Sequence, residues 1–95
     1  MKNITNINVI RIISSNIDHD DGRLVYDAIQ TALQAGSDIQ IDLHGLDIVT
    51  PSFLNTSFRV LAKQYSYDFL KGRLKIVNST PLINRMIRDA LTGQN

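Results

Sequence analysis

The chain has 95 residues, which is the length of one small domain with a single modest core. Its hydrophobic fraction of 43% and charged fraction of 20% are ordinary for a globular protein, and its net charge of +1 argues against nucleic acid or membrane lipid as a partner. The chain has no cysteine, which excludes disulfides, thiol chemistry and cysteine-ligated zinc. Without disulfides or a signal-peptide pattern we expect a cytoplasmic protein. No apolar run reaches the ~20 residues of a membrane span.

The first third of the chain predicts a strand followed by a helix. A β-branched run that starts after Ile4 and continues to Ile13 is typical of a strand. Residues 14–22 are polar and predict a loop. Apolar residues then recur at helical spacing over residues 24–33, and Gly36 is placed to end this helix.

The rest of the chain repeats the same alternation twice. Residues 39–43 alternate as a second strand, and residues 51–65 carry one apolar stripe that predicts a second helix. Lys71–Gly72 is predicted to turn the chain. Residues 74–77 form the third strand, and residues 82–91 form a last amphipathic helix. We expect the chain to fray after Thr92.

This order predicts an α/β fold of the form β-α-β-α-β-α. Such alternation favours a mostly parallel or mixed sheet with right-handed crossovers, covered by about three helices. No linker or low-complexity segment interrupts the chain, so we expect residues 1–95 to form a single domain.

The second and third helices are predicted to begin in the same way. Thr50-Pro51 and Thr80-Pro81 each supply a threonine N-cap and a proline at the first helical position. Ser52 then occupies the second helical position, among N–H groups that lack partners within the helix. A phosphate on Ser52 would meet these donors, although serine and threonine are also favoured at helix starts for capping alone.

Two aspartates flank the turn after the second strand. Asp42 ends that strand, and Asp47 comes shortly before the second helix. Strand ends and helix starts meet at one edge of an α/β sheet, so both could lie on the rim that carries Ser52. Asp47 could bind a cation or shape the turn after Gly45, and the turn is the favoured interpretation.

The remaining polar clusters do not predict catalysis. The acidic loop over residues 18–22 lacks the glycine and glutamate of a calcium loop, so we interpret it as a capping cluster for the first helix. His19 and His44 form no recognisable Ser–His–Asp constellation. No phosphate-binding glycine motif is present. We therefore expect no metal, no cofactor and no enzymatic activity.

The stretch from Asp42 to Phe53 resembles the STAS-like domain family of unknown function, and more distantly the anti-sigma factor antagonists. The shared features are the acidic strand end Asp42-Leu43, a short hydrophobic turn over residues 45–48, and Ser52-Phe53 at a helix start. The strand over residues 74–78 and the Gly22-Arg23 pair also look like the family.

This resemblance implies a non-catalytic regulatory module that docks a protein partner. Anti-sigma antagonists are phosphorylated on a serine at this helix start by an ATP-binding kinase that is also their partner, and that serine corresponds to Ser52. The expected partner-binding rim contains Asp47, Thr50, Ser52, Phe53 and Asn55.

Two alternatives remain open from the sequence. A parallel sheet commonly holds a ligand at its strand ends, which suggests a small-molecule or nucleotide binding domain, with weak hydrolysis as a variant of that idea. A small core with short sheet edges also suits a structural domain that self-associates into a homo-oligomer.

Overall fold

A three-stranded parallel sheet organises the molecule. The computed structural model describes residues 3–14 and 17–93. Within these residues the strands are β1 (Ile4–Asn8), β2 (Asp38–Asp42) and β3 (Leu74–Val77), and they lie in the order β1-β2-β3. Both strand pairs are parallel, which confirms the predicted α/β fold.

Helices fill the connections between the strands and follow the last one. The described residues form five α-helices and one short 3-10 turn (Val9–Arg11), where about three helices were expected. The α-helices are α1 (His19–Gln34), α2 (Pro51–Thr56), α3 (Phe58–Gln64), α4 (Tyr67–Arg73) and α5 (Pro81–Thr92). Among these residues, no helix is long and apolar enough to cross a bilayer.

The strand order places the helices on one face of the sheet. Right-handed crossovers that always step in the same direction bring each helix to the same side. Ile39 and Ile41 point to that side and are buried, whereas Gln40 between them is partly exposed. In register with Gln40, Asn6 and Lys75 are exposed, so the described residues leave the opposite face of the sheet open.

The core lies between the sheet and this layer of helices. Its fully buried side chains come from every layer, and Ser57 is buried among them. The largest hydrophobic side chains in it are Phe53, Phe58, Ile29, Ile39, Ile41, Leu43, Leu61, Leu70 and Ile83. α2, α3 and α5 all contribute buried side chains to this core. They therefore pack in the same hydrophobic cluster as β2.

The predicted first strand is too long. β1 ends at Asn8, and the chain turns because Val9 O accepts the N–H groups of Ile12 and Ile13 at 2.9 and 3.1 Å. The predicted polar loop is correspondingly too long, since α1 begins at His19. Gly36 follows the end of α1 at φ +80°, which confirms its predicted role. Part of the predicted loop, Ser15 and Asn16, lies outside the described residues.

The predicted second helix over residues 51–65 is divided into α2 and α3, and a further helix, α4, follows it. Ser57 has φ −116° and ψ −93°, which are not helical values, and separates α2 from α3. The Ser66 side chain accepts a hydrogen bond from Phe69 N at 3.1 Å and starts α4. The predicted turn at Lys71–Gly72 is wrong, because both residues belong to α4.

Candidate functional site

The start of α2 is a capped turn in which Thr50 makes two hydrogen bonds. Thr50 has extended backbone angles, and its Oγ1 accepts from Phe53 N at 3.1 Å. The same hydroxyl donates to Ile17 O at 2.6 Å, which ties α2 to the segment before α1. Pro51 occupies the first helical position, where a missing N–H costs nothing. The predicted Thr-Pro start is confirmed.

The start of α5 has the same construction. Thr80 Oγ1 accepts from Ile83 N at 3.1 Å, and Pro81 is the first helical residue. Because strands β2 and β3 run parallel, these two helix starts lie at the same edge of the sheet. The two Thr-Pro sequences, which are 30 residues apart in the chain, therefore start two helices at the same edge of the sheet.

Ser52 differs from the other hydroxyl residues of this region. Thr56 Oγ1 donates to His19 O at 2.7 Å, and Ser57 Oγ donates to Phe53 O at 2.7 Å. Ser52 is exposed, and its hydroxyl makes no hydrogen bond to any other described residue. Of the two hydroxyl side chains of α2, Ser52 is therefore the one that forms no hydrogen bond within the described part of the chain.

The other predicted rim residues divide into exposed and buried. Asp47 and Asn55 are exposed, and the Asp47 carboxylate has no hydrogen-bond partner among the described residues. The expected turn-shaping role of the Asp47 side chain is therefore not seen, because its carboxylate bonds to no backbone group of the turn. Phe53 is fully buried in the core, so its side chain supports α2 from below and does not reach the surface.

An open cleft of about 340 Å³ lies between α2 and α5. Its lining mixes apolar side chains with one residue of each charge: Pro51, Leu54, Asn55, Arg59, Met86, Asp89 and Ala90. Sequence reasoning missed this cleft because its α5 side comes from far along the chain. The signal for it was that Met86 and Ala90, one turn apart, belong to the apolar stripe of α5.

Asp42 links the ends of β2 and β3. Its Oδ1 accepts hydrogen bonds from His44 N at 2.9 Å and Asn78 Nδ2 at 3.0 Å. These donors, the His44 N–H first, hold the pKa of the Asp42 carboxyl below its ordinary value. Asn78 itself adopts a left-handed conformation at φ +56°, which asparagine tolerates better than most residues. Asp42 therefore fixes the loops that follow β2 and β3, and it makes no hydrogen bond to Ser52.

The acidic loop before α1 caps that helix, as predicted. Asp18 accepts from Asp20 N and Asp21 N, and Asp21 accepts in return from Asp18 N at 3.1 Å, which completes a capping box. His19 Nε2 lies 3.3 Å from Asp20 Oδ1 in solvent, and no hydrogen bond joins either histidine to Ser52. The described residues contain no group of three or more histidine, aspartate or other ligating side chains placed to hold a metal.

The three-stranded parallel sheet with its helices is compatible with a STAS-like fold. The chain belongs to the family described as STAS-like domain of unknown function (DUF4325), whose sequence profile matches residues 21–84. This match includes β2, β3 and all of α2, and so includes Ser52. The α5 side of the cleft, which is Met86, Asp89 and Ala90, lies beyond the matched residues. Comparison with curated proteins and with solved structures found no match.

Proposed function

We propose that this STAS-like domain is a non-catalytic regulatory module that docks a protein partner, and that phosphorylation of Ser52 controls the docking. The proposed docking surface consists of Asp47, Ser52, Asn55 and the cleft between α2 and α5. Thr50 holds this surface in place as a cap, and Phe53 supports it from the core.

The observation that carries this proposal is the uncommitted hydroxyl of Ser52. The neighbouring hydroxyls of Thr50, Thr56 and Ser57 are hydrogen-bonded to the fold, so modifying any of them would disturb a helix. Ser52 is exposed, and a kinase could modify it without unfolding the domain. It is also next to Pro51, which lines the cleft.

The charge of the surface explains how a phosphate would act there. Asp47 is exposed in the segment before α2, Arg59 and Asp89 line the cleft with opposite charges, and Asn55 is neutral. A phosphate would add roughly −1.5 to −2 charges. It would therefore change this surface from nearly balanced to strongly acidic, and an apolar or acidic partner surface would no longer dock.

The proposed partner is an ATP-binding protein of the anti-sigma kinase type. Such a protein would both bind this surface and phosphorylate Ser52, as the resemblance to anti-sigma factor antagonists implies. The domain itself needs no general base for this role. Among the described residues, neither histidine side chain is hydrogen-bonded to Ser52, which agrees with a serine that is modified by another protein.

Substituting Ser52 tests the proposal directly. We expect Ser52→Asp to weaken binding to a candidate ATP-binding kinase of the anti-sigma type by about tenfold or more, because it adds a permanent charge. Ser52→Ala should bind like the unsubstituted protein and accept no phosphate. Isothermal titration calorimetry measures the binding. Intact-mass analysis of protein purified from its native host should show one phosphate, mapped to Ser52.

Gln34→Asp is a suitable control, because Gln34 is exposed at the far end of α1 and receives the same charge. It should bind like the unsubstituted domain. If Ser52→Asp and Gln34→Asp bind equally well, the phosphate switch is refuted. If neither binds less tightly and no phosphate maps to Ser52, the docking surface must be sought elsewhere.

The cleft also supports a second candidate function. Its volume of about 340 Å³ falls at the lower end of the range for small-molecule sites. A thermal-shift screen with nucleotides and common metabolites separates this candidate from protein docking. A stabilising ligand whose effect is lost in Met86→Trp would favour a small-molecule site, and a flat response would count against it.

A further inference from the structure

The outer edge of β1 has free backbone groups. Asn3 O accepts from Asp38 N at 2.9 Å, and Ile4 is the register partner of Asp38. In a parallel ladder every second residue directs both its N–H and its C=O to the same neighbour. Asn3, Thr5 and Ile7 therefore pair with β2, and Ile4 and Asn6 direct their backbone groups outward. No other described segment pairs with this edge.

β1 also lacks the features that normally protect a sheet edge. Residues 3–10 contain no charged residue and no proline, and Ile4 is 64% exposed. The opposite edge, β3, is shorter and carries exposed Lys75, with Lys71 and Arg73 just before it. Charged side chains and short length are the usual means by which proteins prevent edge-to-edge pairing. Of the two edges of the sheet that the described residues form, β1 is the one left open to pairing in this way.

The flank of α1 on the β1 side carries small and apolar residues and is bordered by the exposed Asp20 and Asp27. Gly22 of α1 faces α2, and Asp21 on the other side is bonded to Ser14, which follows β1 in the chain. Helical spacing places four further residues on that same β1 side of α1: Leu24, Ala28, Thr31 and Ala35. Leu24 is 49% exposed, although it is a large apolar side chain. These four residues extend the uncharged surface from the strand edge to the helical layer.

We propose that the β1 edge pairs with the β1 edge of a second copy of this chain. A two-fold axis through Asn6 would make the pair antiparallel, with Asn6 opposite Asn6, Ile4 opposite Asn8 and Thr5 opposite Ile7. The two sheets would join into one of six strands, and the two α1 flanks would meet on the helical face.

The occupant is a second copy because β1 is complementary to itself. No like charges face each other in this register, and the two Asn6 side chains can exchange amide hydrogen bonds across the axis. Both copies use the same patch, and the charged β3 edge blocks further growth, so the assembly closes at two chains. The pairing uses none of the proposed docking surface and does not depend on the proposed function.

Opposite charges at position 6 provide the test. Asn6 is exposed, and its backbone N–H points away from β2, so Asn6→Asp and Asn6→Lys leave the core intact. We expect each variant alone to dimerise about fivefold more weakly than the unsubstituted chain, because like charges then meet on the axis. An equimolar mixture should recover dimerisation and give a mixed dimer. Sedimentation measures the affinity, and native mass spectrometry identifies the mixed species.

Asn84→Asp and Asn84→Lys are the matched controls, because Asn84 is exposed on α5. They should dimerise like the unsubstituted chain. Hydrogen exchange should also protect the Ile4 and Asn6 amides at high protein concentration and not at low concentration. The proposal is overturned if the chain stays monomeric up to roughly 1 mM. It is equally overturned if the mixture fails to recover dimers or if a dimer forms without protecting these amides.

Discussion

At the scale of single residues, Asp21 is a charged side chain that is buried in the fold. It is only 4% exposed, and burial alone would raise the pKa of its carboxyl. Ser14 N and Ser14 Oγ donate to it at 2.9 and 2.7 Å, and Asp18 N donates at 3.1 Å. Together these donors outweigh burial and lower the pKa below the ordinary value of 3.8. The ionised form of Asp21 is therefore part of the fold.

Stability should depend on pH through this residue. Because the pKa of Asp21 is lower in the folded chain, its contribution is fully present above pH 3.8 and is lost as the pH falls through the folded-state value. Asp21→Asn should cost about 1–2 kcal/mol of unfolding free energy at pH 7, because the amide cannot accept all three hydrogen bonds. Urea unfolding at pH 7 and pH 3 measures both effects.

Asp27→Asn on the exposed side of the same helix is the control, and it should change the unfolding free energy by less than about 0.5 kcal/mol. The loss of stability between pH 7 and pH 3 should be smaller for Asp21→Asn than for the unsubstituted chain. An equal loss would mean that Asp21 is not what makes the fold sensitive to acid.

At the scale of elements, the contact between α1 and α2 depends on a glycine. A Cβ at Gly22 would collide with Thr56 Oγ1 and the Phe53 carbonyl oxygen. Thr56 Oγ1 also donates to His19 O at 2.7 Å, so the first turn of α1 and the last turn of α2 are joined directly. The glycine costs helix propensity but permits this close approach.

Gly22→Ala should therefore destabilise the domain, although alanine is the better helix former. The expected cost is about 1–3 kcal/mol, because a backbone carbonyl cannot move aside as a flexible side chain can. Gly72→Ala in α4 meets no atom within 4 Å and should stabilise by about 0.5–1 kcal/mol. Thermal unfolding of both variants compares them, and a stabilising Gly22→Ala would contradict the packing argument.

Elements were predictable where the signal is local. The Thr50-Pro51 cap, the Gly36 stop and the extent of β3 follow from neighbouring residues, and the structure confirms them. The predicted β2 over residues 39–43 is found one residue earlier, at Asp38–Asp42. The break at Ser57 was not predictable, because the apolar side chains continue at nearly helical spacing across it. Its hydroxyl bonds to Phe53 O only in the packed core, where the side-chain hydroxyl competes with the helix ladder.

The candidate site divides in the same way. The position of Ser52 one residue after Pro51 is local, and the sequence predicted it. That its hydroxyl is uncommitted depends on where the neighbouring hydroxyls find partners, such as His19 O and Ile17 O from before α2. The cleft depends on α5 packing beside α2, and no local pattern reports such a long-range contact.

At the scale of the whole molecule, the described residues cover one face of the sheet with helices and leave the other face open. Ile41 at the centre of β2 is fully buried under the helices. Gln40, its neighbour in the chain, points to the open face, where Asn6 and Lys75 lie beside it. The two faces of the same strand therefore have different tolerances to substitution.

Paired alanine substitutions measure this difference. Ile41→Ala should cost about 2–5 kcal/mol of unfolding free energy, because it leaves a cavity at the centre of the core. Gln40→Ala should change the free energy by less than about 0.5 kcal/mol. Urea unfolding compares the two variants. Similar costs would show that a further layer covers the open face in solution.

Parallel pairing of all three strands also has a consequence for how the chain folds. Neither strand pair can start as a hairpin, because β1 and β2 are separated by α1, and β2 and β3 by three helices. Each pairing must close a long loop, and the chain entropy is lost before the hydrogen bonds between the strands can offset it. The intervening helices shorten that search once they form. Sheet and helices should therefore appear together in one cooperative step, with β2, the partner of both other strands, at its centre.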